Sequence, residues 1–236
     1  TMKRDHPYFV GPIGGLGGRA ANSLAKQTDM AIAVGTKLGD FTTGSWANFE
    51  NPDFQLVAIN VARFDASKHM AQSIIGDAKV SLIELSAALG DWKASDNWYQ
   101  KSRTELKAWN EYVDKESGPT NQKLPNYAHA VGAIYRKADP HDIVVTAAGG
   151  LVGEVVQIWR PKELNTHETE WGFSCMGYEI SGALGIKMAN PDKEVISFVG
   201  EPGKSNGRNN FFCRSERNNF FCRSERSNFF CRSERS

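Results

Sequence analysis

Three consecutive stretches limit the architectures open to this chain more than any other feature. Residues 143–150 read IVVTAAGG, residues 168–185 read ETEWGFSCMGYEISGALG, and residues 194–200 read EVISFVG. The first and last are short apolar runs ending in glycine, the signature of buried strands. The middle stretch opens as a glycine-rich turn and continues as an apolar-faced helix. A strand, glycine loop, helix, strand order implies an α/β domain with parallel strands, and such domains bind ligands at the carboxyl ends of their strands. The stretch at residues 168–185 is therefore the expected location of any binding site.

The same alternation occurs earlier. Strands are expected over residues 30–35 (MAIAVG) and 55–61 (QLVAINV), with Asp77 as the N-cap of a helix over 78–89 whose Val80, Ile83 and Leu85 face inward. From 95 to 116 the residues Trp98, Leu106, Trp109, Tyr112 and Val113 recur at helical spacing among charges, predicting an amphipathic helix whose aromatics serve packing. ESGPTNQKLP has the Gly, Pro and polar content of a linker, and a helix over 126–137 then leads into the strand at 143–146. The division expected is residues 1–92, a helix and linker over 93–125, a second α/β portion over 126–200, and a tail over 201–236.

That tail repeats NNFFCRSER from 209 and again from 218, then SNFFCRSER from 227. A nine-residue unit is shorter than the supersecondary elements of about 20 residues or more that build solenoids. The expectation is an aberrant tandem repeat without order or evolved function. The repeat also accounts for Cys213, Cys222 and Cys231, which leaves Cys175 as the remaining cysteine of the four and no C-x-x-C pair for a metal.

Composition removes several function classes. With 28 basic against 27 acidic side chains there is no electrostatic case for nucleic acid. No apolar run approaches the roughly 20 residues of a membrane helix, and TMKRDHPYFVGP lacks a secretory h-region, so the expected location is cytoplasmic. A start at Thr1 suggests that the chain is part of something longer.

Three local patterns carry weaker chemistry. GPIGGLGG at 11–18 contains a loose dinucleotide fingerprint at Gly15, Gly17 and Ala20, with Asp40 beyond the next strand. Its strand context is nearly absent, which favours a glycine turn that packs a helix closely, although a nucleotide-binding module stays open. GEPGKS at 200–205 has two residues where a P-loop needs four, and no helix pattern follows. In RPKELNTHETE, read as a loop, His167, Glu168 and Glu170 are acid/base candidates by type, and for His167 and Glu168 solvated side chains are the expectation. His69 reads as a surface or packing histidine.

TAAGGLVGE followed by ETEWGFSCMGYEISGALGIKMANPDKEVISFVG closely resembles the cofactor domain of thiamine-diphosphate enzymes, and GTKLGDFTTGSW with INVARFDASKH resembles their central domain. Within that superfamily the resemblance is to hydrolases of inositol catabolism that cleave a carbon–carbon bond of a cyclic 1,2-dione to give a deoxyglucuronate. An acetolactate-synthase-like carboligase is the alternative, and a non-catalytic remnant another. The resemblance implies a partial central Rossmann-like domain plus a partial thiamine-diphosphate-binding domain. It further implies thiamine diphosphate and Mg2+ as cofactors, a small cyclic dione as substrate, and a homo-oligomer. The cofactor acts as the electron sink for the cleaved bond.

Carried onto this sequence, the resemblance makes Gly149, Gly150 and Leu151 the diphosphate-facing loop, and Ser174, Cys175, Met176 and Gly177 the turn at the pyrimidine. Met176 takes the place of the bulky apolar side chain that holds the cofactor bent, and methionine also suits a core position. Trp171 and Phe173 are open between substrate contact and packing. The departures are as informative. The family's G-D-G metal motif would follow Gly200, where this chain has Glu201 and Pro202, so no metal ligand is assigned. No catalytic residue is assigned either, because the activating glutamate belongs to a domain this sequence does not contain. The expectation is a chain that is inactive by itself.

Overall fold

The computed structural model describes residues 2–170, 172–200, 210–216 and 219–224. The chain divides into two compact units, Val10–Asn110 and a discontinuous one made of Thr1–Phe9 and Glu111–Ser236. The division falls inside a helix.

The first unit holds α1 (Arg19–Ala25), β1 (Met30–Val34), α2 (Asp40–Thr43), β2 (Gln55–Asn60), α3 (Arg63–Ala66), β3 (Gln72–Ile75), α4 (Ala78–Leu89) and most of α5 (Asp96–Glu116). Its sheet is parallel throughout, in the order β1-β2-β3, with Met30 opposite Gln55 and Val57 opposite Gln72. Ala33, Leu38, Leu56 and Ala58 form its core, against which Trp46 and Phe54 pack. His69, expected at the surface or in packing, is exposed and stacks on Trp46 at 4.0 Å between ring centroids.

Asp77 caps α4 as expected, its carboxyl accepting from the N–H groups of Lys79 and Val80. The helix does not bury the predicted face. Val80 is 53% exposed and Ile83 60%, and no residue of α4 is buried. The physical reason is the sheet edge: β3, which the sequence reading passes over, ends the sheet with all four residues exposed, so the apolar pattern of α4 finds little to cover it. In α5, Val113 is buried while Tyr112 is exposed.

The second unit contains α6 (Tyr127–Tyr135), β4 (Ile143–Thr146), α7 (Gly150–Ile158), β5 (His167–Thr169), α8 (Tyr178–Ala189), β6 (Val195–Gly200), β7 (Asn210–Glu216) and β8 (Asn219–Ser224), with sheet order β5-β4-β6-β7-β8. Every residue of β4 is buried, as its uninterrupted apolar run requires of a strand covered on both faces. Ile143, Val145, Ala183 and Val195 form the core on one side. Trp159, at the end of α7, meets Tyr135 and Phe198 edge-on at 5.4 and 5.9 Å. Asn126 and His129 close a capping box at the start of α6.

Two features differ from the sequence reading. Residues 167–169 form a strand that pairs in parallel with β4, rather than part of a loop. In the tail, expected to lack order, β7 and β8 add antiparallel strands next to β6, with Gly200 opposite Asn210 and Glu216 opposite Asn219. The repeated Asn-Phe-Phe-Cys carries aromatic residues of high strand propensity, which an unfilled sheet edge accepts. The rest of the tail, with Glu201 and the G-K-S residues, lies outside the described residues.

Candidate functional site

The strand order brings the candidate residues to one end of the second sheet. β4 and β5 run in parallel in register, Thr146 opposite Thr169, so the turns that follow them emerge side by side. A 2.8 Å hydrogen bond between the Thr146 and Thr169 hydroxyls and one of 3.2 Å from the Glu170 N–H to the Thr146 carbonyl close this end. The chain leaves β4 toward β5 on one side, while β6 lies on the other, which makes this the switch point where open α/β sheets form a crevice.

Gly149 follows β4 and is the N-cap of α7, with φ 97° and ψ 177°, a conformation essentially reserved for glycine. A side chain built on Gly149 or Gly150 would meet nothing within 4 Å, so the backbone here is open to a ligand. Leu151 is buried and anchors the helix behind it. A helix start with exposed glycines suits an anionic group, because the first N–H groups of a helix lack intrahelical acceptors.

The turn before α8 is organised by two carboxyl groups. Glu170 accepts from the N–H of Phe173 at 2.9 Å and from that of Cys175 at 2.8 Å, wrapping the turn around itself. These bonds, that of Phe173 first, hold its carboxyl below the usual glutamate range. A lowered folded value means the contribution is complete above the ordinary range near ~4.3 and is lost as pH falls through the folded value. We therefore expect the amide resonances of Phe173 and Cys175 to be constant from about pH 5 to 8 and to move together on further acidification, and Glu170→Gln to abolish that transition.

Glu179 is the second. It is 2% exposed, in the first turn of α8, and its carboxyl accepts from the Gly177 N–H at 2.9 Å while reaching the Ala148 N–H at 3.4 Å. Ala148 belongs to the first loop and Gly177 to the second, so one side chain ties both candidate loops together. The hydroxyl of Ser197, on β6, donates to the Glu179 carbonyl at 2.9 Å. Sequence reasoning missed this residue because a helical glutamate reads as surface. The available signal was its place in one stripe with Ala183 and Lys187, both buried.

Of the predicted residues, Ser174, Cys175, Met176 and Gly177 all lie on this exposed turn, with Gly177 at φ 92° as the N-cap of α8. Met176 is 65% exposed, so the core role open to a methionine is not the one it has here. Phe173 is 91% exposed and does not pack. Trp171 lies outside the described residues. His167 is not a solvated loop residue: it sits on β5, where burial first and the Arg4 charge second push its imidazole down to about 4. Glu168 is exposed.

The glycine turn of the first unit uses its own donors. Gly14 N–H donates to Asn22 Oδ1, Gly15 N–H to the Phe41 carbonyl, Gly17 N–H to the Gly14 carbonyl and Gly18 N–H to the Pro12 carbonyl. Residues 8–10 are not a strand, and little in this turn is left to hold a pyrophosphate. Among the described residues there is no group of three or more His, Cys, Asp and Glu placed to hold a metal, and no helix long and apolar enough to cross a membrane.

Sheets built on parallel strands, a helix start opened by glycine and a second turn locked beside it define an α/β protein whose candidate site lies at its strand ends. Residues 1–85 match the family described as thiamine pyrophosphate enzyme, central domain, and residues 147–204 match that described as thiamine pyrophosphate enzyme, C-terminal TPP binding domain. The chain belongs to the thiamine pyrophosphate enzymes.

Among curated proteins it is similar to 3D-(3,5/4)-trihydroxycyclohexane-1,2-dione hydrolases. It is 37% identical over 225 residues to that of Geobacillus thermodenitrificans, covering 85% of this chain and 34% of the relative. With the Clostridium perfringens protein the identity is 36% over 224 residues, covering 85% and 35%, and with that of Clostridium botulinum 35% over 228 residues, covering 85% and 35%. The chain spans about a third of the length of these relatives.

Proposed function

We propose that this chain carries the diphosphate-facing half of a thiamine-diphosphate site belonging to a cytoplasmic hydrolase that cleaves a carbon–carbon bond of trihydroxycyclohexanedione. The observation that carries the reading is the pairing of two loops through Glu179: the open glycine start of α7 and the exposed Met176–Gly177 turn. The names of the relatives supply the substrate.

The residues present fit part of the cofactor. Gly149, Gly150 and Leu151 present backbone N–H groups to the diphosphate, and the absence of side chains at the two glycines lets it approach. Ser174, Cys175 and Gly177 would lie against the pyrimidine, and exposed Met176 would support the cofactor from beneath. Thiamine diphosphate, when bound, supplies the nucleophile and electron sink for carbon–carbon cleavage. Mg2+ is the accompanying metal, and the described residues do not fit it, since they include no cluster of ligands for a hard cation. No step of proton transfer is assigned to a side chain of this chain. The active form is a homo-oligomer that completes the site, and the chain by itself is inactive.

Titration of the full chain with thiamine diphosphate and Mg2+ tests this, followed by calorimetry and by amide NMR. The expected result is binding weaker than micromolar, with shifts confined to residues 149–151 and 174–177, and no dione hydrolysis. Micromolar binding or turnover would overturn the incompleteness. An absence of local shifts at millimolar cofactor would overturn the site. The carboligase alternative predicts pyruvate consumption instead of dione hydrolysis in the assembled enzyme.

A further inference from the structure

We propose that the cleft walled by residues 2–9 and 161–167 is a separate binding site for a small tetrahedral oxyanion of the phosphate type, held by Arg4 with Lys3, Lys162 and His167. The cleft encloses about 140 Å³, and these four basic residues share its wall with Glu163. That volume is well below the ~300–1,000 Å³ of pockets for drug-sized ligands, which restricts the occupant to a small ion.

The charge balance of the wall points to an anion. Glu163 is the acidic residue of the lining, and it is already bonded to Lys3 Nζ at 3.1 Å. Arg4 is largely enclosed, and burial first and the neighbouring Arg160 second lower its guanidinium to about 10, against the opposing influence of Tyr135 and Asp114. Arg160 is answered by Asp114 at 2.7 Å. Among the described residues no carboxylate forms an ion pair with Arg4, whose cation instead sits 5.8 Å from the centre of the Phe9 ring. Enclosing a cation that shares its nearest carboxylate, Asp114, with another arginine is costly, and native structures pair such groups directly. A guanidinium presents a planar fork of donors suited to an oxyanion, and Lys162 adds a second cation at the mouth. His167 completes the wall beside Arg4. Its Nε2 lies 3.2 Å from the Thr169 hydroxyl, and its imidazole adds no further positive charge near neutral pH.

This site is independent of the thiamine reading, because it uses none of the residues assigned there.

The probe is inorganic phosphate, titrated into the full chain at pH 7 and constant ionic strength while the His167 imidazole signals are followed by NMR. A saturable shift at millimolar phosphate is expected, absent with acetate or chloride. Arg4→Met should weaken it by about tenfold or more, the loss of one charge-assisted contact. Lys162→Met, at an exposed position that leaves the fold intact, should weaken it by about threefold. A response that does not saturate, an equal response to chloride, or unchanged affinity in both variants overturns the proposal. If Arg4→Met fails to fold, the Lys162→Met affinity and the chloride control decide it.

Discussion

Glu179→Ala is expected to loosen both candidate cofactor loops at once and to destabilise the second unit by about 3 kcal/mol, because two backbone donors lose a buried carboxyl acceptor. The geometry behind this is the bond of 2.9 Å to Gly177 and the reach of 3.4 Å to Ala148 from a side chain that is 2% exposed. A drop in Tm of roughly 10 °C corresponds to that loss in a unit of this size. Glu179→Gln keeps the volume and one oxygen but turns an amide NH2 toward one of the two donors. We expect it to restore part of the stability while leaving one loop loose. Amide exchange at Ala148 and Gly177 reads the loops separately. Parallel protection in wild type and Glu179→Ala would show that the loops are held by something else.

The second large effect is at Gly14. With φ at 104°, a Cβ there would lie 1.9 Å from the Phe41 carbonyl oxygen and 2.8 Å from that of Thr42. Gly14→Ala therefore combines an unfavourable backbone conformation with a collision against main chain that cannot rotate away. The cost is ~4 kcal/mol by the usual ranges for each. Loss of the Gly14–Asn22 pair of hydrogen bonds, at 2.8 and 2.9 Å, follows as the turn shifts. Thermal unfolding of the full chain measures it, and Gly15→Ala is the control, since its nearest contact would be 3.9 Å away. Equal effects of the two substitutions would refute the steric account.

The strands β2, β4 and β6 were legible as apolar runs, β4 and β6 ending near glycine, and so was the capped start of α4. β5 was not, because His-Glu-Thr has no apolar alternation and owes its strand conformation to pairing with β4. The failure at Val80 and Ile83 is of another kind. The pattern correctly gave a helix, but burial depends on what a sheet edge offers, which a local pattern cannot state. For the candidate site, the glycines and Met176 were assigned through the resemblance, with a turn of small residues in support. Glu170 and Glu179 could not, since their roles come from donors supplied by the folded turn. The meeting of Arg4 with His167 was out of reach for a longer-range reason: more than 150 residues separate their segments in sequence.

That separation bears on the order of events during synthesis. The second unit takes residues 2–9 from one end and 111 onward from beyond the whole first unit. Lys3 meets Glu163 across 160 positions of chain. At a synthesis rate of about 5–20 residues per second, the segment at residues 2–9 waits roughly 10–30 s before its partners are made. The first unit, contiguous from Val10 to Asn110, has no such delay. Residues 2–9 thus find their place only once residues 161–167 have been made, long after their own synthesis.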